Sequence, residues 1–542
     1  MYKKAYEYDG EGNLIRAVDA EGNETIATYD ALNRVKTIDK GDEKITVNYN
    51  KIGKPVAVIS SSAGKVEITY DVLSKITDIK HENGKHTGYA YDKNGRRTKL
   101  IYPDGKEVSY LYDVDGRIEA IKDYDGRKIK YTKDAEGRII KRKNADLSST
   151  EYDYNSGGQL VQQKEVTGDG ITEREIIYGY DDKGNLKSEH RTGVDIDKKD
   201  ESVRYYYDRD DRLIKTICEG KIDIFEYDKA GNLKKDGKYT YTYDMQNRLI
   251  KKEGSGAKYS YKYDKNGNLI KEEGKDRETT YTYDKTGRLL KGENKDGSYS
   301  IYTYGALGAR IKNQKHRLNP NYSYRNILFN NGSERIKDYM PALLEKRAKE
   351  QSTYETEVGT TVENEWEDIE ENYVPDYLSV AQRDLIMDKK GAFVSRYIYD
   401  DEGNRLSADF YYAHGTKRGE LDDKGNYGEN IASDIAVKGI GKVFYKGNLQ
   451  MTNLYQNDKD GKQIAHSIYD AWGNSLNFAP TDLNHTGLDK VATFGGYTYD
   501  DVLGLYYAQN RFYDPENYRF TQEDPIKADN NWYAYCDSNP TT

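Results

Sequence analysis

Apolar and polar residues alternate with a period of two along most of the chain. In YTYDKTGRLLK (281–291), Tyr281 and Tyr283 fall on one face of an extended strand and Thr282 on the other. Asp284 then begins a turn, Gly287 supplies the positive φ the turn needs, and Leu289 restarts the alternation. The same string recurs in AYEYDGEGNLI (5–15), AYDKNGRRTKL (90–100) and YLYDVDGRIEA (110–120). Its Asp position falls at 9, 30, 50, 71, 92, 113, 134 and 155, with Asn at 50 and 155. It continues at 181, 208, 228, 244, 264 and 284, and Gly305 takes the next place. Most steps are 20 or 21 residues, the sign of an internal repeat.

The other half of a unit often carries a second glycine turn, as in DAEGNETIATYD (19–30). The spacing therefore predicts two short antiparallel strands per unit, about one hairpin. One hairpin is not stable alone. Stacked hairpins share edges and bury their tyrosine faces on neighbours, and sheets twist. The expected fold class is all-β: a spiralling antiparallel hairpin shell around a partly hollow or occupied interior. A flat solenoid or separate small β-domains are the alternatives.

Composition sharpens this picture. The 542 residues include 54 tyrosines but only 9 phenylalanines, and 33% are charged, with a mean hydropathy of −1.00. A tyrosine ring buries apolar area and keeps a polar tip, which suits a wall with one wet face. Net charge is −9, and no basic block stands apart from balancing acids, so no nucleic-acid partner is expected. No apolar run approaches 18 residues, so no membrane span is expected. Repeat-like sequence follows Met1 at once, and no signal peptide is read there.

The period divides the chain into repeats at 1–312, an insertion at 313–392, and resumed repeats with a C-terminal region at 393–542. Within the insertion, RIKDYMPALLEKRAKEQ (335–351) reads as helix and VENEWEDIEEN (362–372) as a solvated acidic run, while YVPDYLS (373–379) carries a strand or turn. Residues 414–440 read as an exposed loop. The insertion decorates the shell or acts as a gate or docking element.

Few residues point to chemistry. DKNGNL (264–269) and NDKDGK (457–462) lack EF-hand spacing and read as turns, so neither metal nor cofactor is expected. The histidines are scattered, and His81 and His86, flanking a turn, are expected at the surface. Cys218 and Cys536 cannot make a disulfide scaffold, and Cys536 is expected as a buried, inert thiol. Tyrosines and acids on strands suit stacking on sugars, but hairpin packing already accounts for them.

The Tyr-Asp-x-x-Gly string at this period resembles the YD repeats of Rhs proteins, of the C component of toxin complexes and of teneurins. SIYDAWGNSL (467–476), GGYTYDDVLGLYYAQNRFYDP (495–515), RFTQEDP (519–525) and NWYAYCDSNP (531–540) resemble the Rhs-associated core domain in order and spacing. Its motif positions here are Gly504, Tyr506, Tyr507, Tyr513, Asp514, Pro515 and Pro525. The resemblance implies a hollow β-cocoon with an inward-curled core domain and a C-terminal polymorphic toxin held inside. It further implies a bacterial secreted or cell-surface setting, with delivery machinery and an immunity protein as partners. On the teneurin side it implies surface adhesion or glycan binding.

From the residues alone, Asp514 and Asp524 read as turn caps, each preceding a proline, with Arg511 and Arg519 as ion-pair partners. The resemblance implies more: Rhs cores cut their own chain once, by aspartyl chemistry in which two carboxylates share a proton. The family's arginine maps onto Arg511 and its first catalytic acid onto Asp524. The second acid, in a later Asp-Pro-x-Gly, has no counterpart before residue 542, and Asp537 lies in a different motif. Self-cleavage is therefore expected to be latent in this chain. Tyr518 stands where the family pattern has glycine.

Overall fold

The computed structural model describes residues 4–193, 200–275, 277–318, 366–379, 383–389, 393–400, 403–412, 442–458, 461–480, 494–526 and 531–541. Within them the chain is almost entirely antiparallel strand, with only short 3-10 turns. The expected helix at 335–351 and the expected loop at 414–440 lie outside these residues.

One unit shows why the repeat folds as it does. The Asp92 backbone N–H donates to the Arg96 carbonyl (3.0 Å), and the Gly95 N–H to the Asp92 carbonyl (2.9 Å). Gly95 sits at φ +77°, where a Cβ would be strained. Asp92 Oδ1 accepts the N–H groups of Asn94 and Arg96, both at 2.9 Å, and Oδ2 accepts Arg96 Nε at 2.7 Å. These bonds hold the carboxyl below the usual aspartate range, the Arg96 backbone N–H contributing most.

The Arg96 guanidinium then lies 4.7 Å from the ring centre of Tyr112, one unit onward. The Tyr112 hydroxyl donates back to the Arg97 carbonyl at 2.7 Å. Tyr112 stands at a bulge in its strand pair, which turns its ring along the sheet. The arrangement repeats. Arg34 covers Tyr49, Arg138 covers Tyr154 and Arg288 covers Tyr304. The hydroxyl–carbonyl bond recurs from Tyr49 to Val35, Tyr91 to Ile76, Tyr154 to Ile139 and Tyr304 to Leu289. In several units asparagine takes the arginine's place, as Asn268 Nδ2 does on Asp264 Oδ2 (2.8 Å). Each unit is thus tied to the next through side chains as well as strand edges.

Consecutive strands pair from Ala5–Tyr8 to Lys221–Ile224, and again from Glu226–Tyr227 to Ser475–Pro480. The two sheets meet at Phe225, whose N–H still reaches the Ile214 carbonyl at 2.8 Å. One face is tyrosine and aliphatic, the other charged. In Lys128–Lys133, Ile129 and Tyr131 are buried while Lys128, Lys130 and Thr132 are exposed. The exposed face carries cross-strand pairs such as Lys99–Glu107 and Lys141–Glu151, each 2.7 Å.

The ribbon closes on itself. Asn266 bonds Asp19 (2.7 Å), Lys285 bonds Asp42 (3.2 Å) and Arg288 pairs with Glu43 (2.9 Å), contacts spanning 247, 243 and 245 residues. One edge of turns in the first lap sits on the opposite edge of turns in the second. Further along, Lys442 meets Asp123 (2.7 Å) and Lys446 meets Ser148 (2.7 Å) across the same seam. Separate lobes and a flat solenoid do not fit these contacts.

Part of the segment where the spacing lapses belongs to this wall. Trp366–Pro375 pairs antiparallel with Arg310–Leu318, and Asp384–Lys389 pairs next to it. The described part of the acidic run, 366–372, is a strand paired with basic residues instead of a wholly solvated face, although Asp368 stays exposed. Glu367 pairs with Arg317 (2.7 Å), Asp368 with His316 (2.8 Å), Glu370 with Lys312 (2.9 Å) and Glu371 with Lys315 (3.4 Å). Tyr373-Val-Pro-Asp376 is a variant YD turn, with the Asp376 N–H on the Arg383 carbonyl at 2.8 Å.

Two other expectations are corrected. His81 is buried, not at the surface. It stacks on Tyr377 (5.4 Å), its Nε2 lies 2.8 Å from Thr87 Oγ1, and burial pushes its pKa down to about 4. His86 is exposed beside Asp78. Cys536 is exposed at the start of a 3-10 turn, Cys536–Ser538, not buried in a strand.

Candidate functional site

Residues 494–526 and 531–541 lie against the tyrosine face of the wall. A small sheet of Thr498–Asp500, Leu505–Ala508, Arg511–Asp514 and Arg519–Phe520 organises them. Its aromatic residues, Tyr506, Phe512, Tyr513, Phe520 and Tyr535, join one core with the wall's Tyr241, Tyr261, Tyr281 and Tyr302. The Tyr513 and Tyr535 rings stack at 4.2 Å.

Asp500 is the main polar anchor. It is buried, and its carboxylate accepts Tyr302 Oη (2.6 Å), Ser300 Oγ (3.1 Å) and Asn313 Nδ2 (3.3 Å) from the wall. Burial alone would raise its pKa. The Lys315 charge and these donors outweigh that and hold it below the ordinary value. Gly504 follows at φ +71°, its N–H on the Asp500 carbonyl (2.8 Å). Tyr506 donates to the Gly473 carbonyl and Tyr513 to the Trp472 carbonyl, both at 2.8 Å, and Tyr507 stacks over Arg310 at 4.4 Å.

Asp514 caps a turn. It accepts the backbone N–H groups of Glu516 (2.9 Å) and Asn517 (3.2 Å) and the Asn517 side chain (2.6 Å), while the Pro515 carbonyl accepts Asn474 Nδ2 (3.1 Å). Burial raises the pKa of Asp514, with the Glu516 charge adding to it, and burial raises that of Glu272, with the Asp514 and Glu516 charges adding to it.

Arg511 and Asp524, expected to act together, are together: Arg511 Nη2 stands 3.1 Å from Asp524 Oδ2. Arg511 Nη1 also donates to the Trp532 carbonyl (3.1 Å), and its guanidinium covers the Phe520 ring at 3.7 Å. Burial pulls the guanidinium pKa down. Asp524 Oδ1 accepts the Ile526 N–H at 2.8 Å, so this carboxylate both caps a turn and pairs with arginine, and Pro525 is exposed. Arg519 pairs with neither expected aspartate. It donates to the Asn247 carbonyl (2.5 Å) and lies between the Tyr243 and Tyr533 rings.

Among the described residues no group of three His, Cys, Asp or Glu could hold a metal ion, and no helix is long and apolar enough to cross a membrane. Asp264 and Asp458 spend an oxygen on the turn N–H groups of Asn268 and Lys462. A cavity of about 740 Å³ opens where the two laps meet, lined by Tyr112, Arg138, Arg142, Tyr152, Arg405 and Tyr445 among others. Nothing in the sequence marked it, because its walls lie almost three hundred residues apart.

The profile described as "Teneurin YD-shell" matches residues 27–141 and 165–331, more than half of the chain. The chain belongs to this YD-shell family. A profile described as "RHS Repeat" matches residues 8–43. Among curated proteins, the chain is 31% identical over 165 residues to the tRNA nuclease WapA of Bacillus subtilis (strain 168), across 27% of this chain and 7% of that one. It is 40% identical over 79 residues to a putative uncharacterized Escherichia coli (strain K12) protein, YlbH, across 15% of this chain and 32% of that one. Among solved structures, TcdB2-TccC3-TEV is similar at a TM-score of 0.65 and 15% identity, over 99% of this chain and 27% of that chain. TcdB2-TccC3 without its hypervariable C-terminal region gives the same values. The YD-shell of this chain thus spans a small fraction of the length of these relatives.

Proposed function

We propose that this YD-shell chain is part of a container that sequesters a C-terminal toxin segment, with its core region releasing that segment by self-cleavage. The observation that carries the reading is lap closure: a ribbon whose turns meet again after 243 to 247 residues encloses space instead of running on as a plank. The names of the relatives agree. One curated relative is a tRNA nuclease, one solved relative is a TcdB2-TccC3 whose hypervariable C-terminal region is left out, and another is a Photorhabdus luminescens Tc holotoxin pore. In this reading 1–312 and 393–542 are repeats and core, and 313–392 is an insertion whose strands Trp366–Pro375 and Asp384–Lys389 join the wall. The protein acts in bacterial competition or host attack, outside the producing cell, with delivery machinery and an immunity protein as partners.

Arg511 then orients Asp524, one of two acids that would share a proton across the scissile peptide. The test is to express the chain fused to whatever coding sequence follows it and to read cleavage on a denaturing gel. Cleavage downstream that stops in Asp524→Asn, with the cut segment protected from protease until the shell is unfolded, is the expected result. Cleavage unchanged in Asp524→Asn removes the catalytic assignment. A downstream segment digested as fast as free peptide removes the container.

A second reading, surface adhesion through glycan binding, draws on the 740 Å³ cavity, whose tyrosine and arginine lining and size suit a small saccharide. Saturable binding on a glycan array, lost in Tyr152→Ala, would favour it.

A further inference from the structure

A second, smaller cavity, of about 30 Å³, lies where the wall meets the C-terminal region. The wall contributes Arg310, Arg383, Asp384 and Arg405, and the C-terminal region contributes Gly496 and Tyr507. Three guanidinium groups therefore face one carboxylate.

Arg310 is 2% exposed and sandwiched between the rings of Tyr373 (4.3 Å) and Tyr507 (4.4 Å). The rings satisfy its two faces. Its edge is another matter: Nε and Nη2 have no hydrogen-bond partner. The Asp384 carboxylate stands 3.7 Å from Nη2, beyond hydrogen-bond reach. Arg383 gives Nη1 to the Gly496 carbonyl at 2.8 Å, while its Nε is also without a partner. Burial pulls the Arg383 guanidinium pKa down, as expected of a cation short of counter-charge. Arg405 donates to the Tyr399 hydroxyl at 3.1 Å. A buried cation with unspent N–H groups is strongly unfavourable unless something negative meets it.

We propose that this cavity binds one small inorganic anion, of halide or nitrate size, on the free edges of Arg310 and Arg383. The space selects the class. A single water needs roughly 10–15 Å³ on this measure, so the cavity has room for a monatomic or small planar anion and none for a nucleotide or a sugar. The site is shared between the wall and the C-terminal region, through the Gly496 carbonyl and the Tyr507 ring. Occupancy therefore fastens the two together. It depends on neither the container reading nor the cleavage assignment.

The test holds ionic strength constant while bromide, chloride or nitrate replaces gluconate, and follows thermal unfolding. The expected result is a saturable rise in midpoint of about 1–3 °C with the small anions and none with gluconate. In Arg310→Lys, which keeps the charge but loses the Nε–H edge, saturation should need about tenfold more anion. Crystals grown in bromide should show its anomalous signal between Arg310 and Arg383, which decides the matter even if the variant does not fold. Midpoints that follow ionic strength alone, an unchanged curve in Arg310→Lys, or water in place of bromide would each overturn the proposal.

Discussion

The repeating residue trio of aspartate, arginine and tyrosine does more than close a turn. Arg96 neutralises its own Asp92 and covers Tyr112 of the following unit, so its loss is felt in two units at once. Tyr112→Phe should cost about 1 kcal/mol, the net worth of its bond to the Arg97 carbonyl, read by chemical denaturation. Tyr518 shows an opposite balance. It sits at φ +60°, where the family pattern has glycine, yet its ring meets Trp472 (5.2 Å) and Phe225 (5.9 Å) edge-on, and its hydroxyl reaches Asp236 (3.0 Å). Tyr518→Gly recovers about 1 kcal/mol of backbone strain and loses about 3–5 kcal/mol of buried ring. A net destabilisation of about 2–4 kcal/mol is expected on the same assay. His81 makes a pH prediction. Its pKa is about 4 when folded and 6.5 when unfolded, so its neutral form is fully favourable above pH 6.5. Between pH 6.5 and 4 the unfolded chain takes up a proton that buried His81 refuses, and stability falls. From pH 7 to 5 the loss should be about 2 kcal/mol, and His81→Gln should flatten that slope. The turn chemistry was legible because Asp, Gly and Arg act within five residues. His81 was not, because Tyr377, which covers it, lies far along the chain.

At the scale of the hairpin, the two faces contribute unequally. Tyr131 is 9% exposed, and Tyr131→Ala should cost about 3–5 kcal/mol. Lys141 on the outer face pairs with Glu151 in solvent, and Lys141→Ala should cost under about 1 kcal/mol, less at high salt. Denaturation midpoints of the two variants, compared at low and high salt, check both. Alternation along each strand made this division readable from the sequence. Trp366–Pro375 was not readable. Its acids look solvated until Arg310–Leu318, about fifty residues earlier, is laid beside them in register. Charge that is patterned between distant strands leaves no local trace. Only its end was legible: 373–379 reads as a strand or turn, and the variant turn at Tyr373–Asp376, with proline in place of the second tyrosine, lies there.

Over the whole molecule, period and tyrosine content pointed to a coiled wall, and the lap contacts supply its closure. Those contacts lay beyond sequence reasoning, since nothing at Asp19 announces Asn266. Glu43 is 6% exposed and accepts Ser60 (2.7 Å) as well as Arg288 (2.9 Å) from the next lap. Glu43→Ala removes the partner that Arg288, still held by Asp284, reaches across the seam. Amide exchange at the turn 284–287, more than two hundred residues away, should quicken about tenfold, corresponding to a loss of at least 1.4 kcal/mol. The pairing of Arg511 with Asp524 followed from the family resemblance, not from the residues alone, which offered Arg519 equally. The arginine cavity was not legible, because its charges come from three separate stretches of chain.

The distance of about 245 residues between stacked turns has a consequence for how such walls can change. Duplicating one hairpin ahead of Asn266 would move every later turn one place round the circumference. Asp19, Asp42 and Glu43 would then face residues with no reason to match them. Growth by single units is therefore blocked inside a lap and open only past the last one, so the girth of the wall is inherited whole while its height is free to vary.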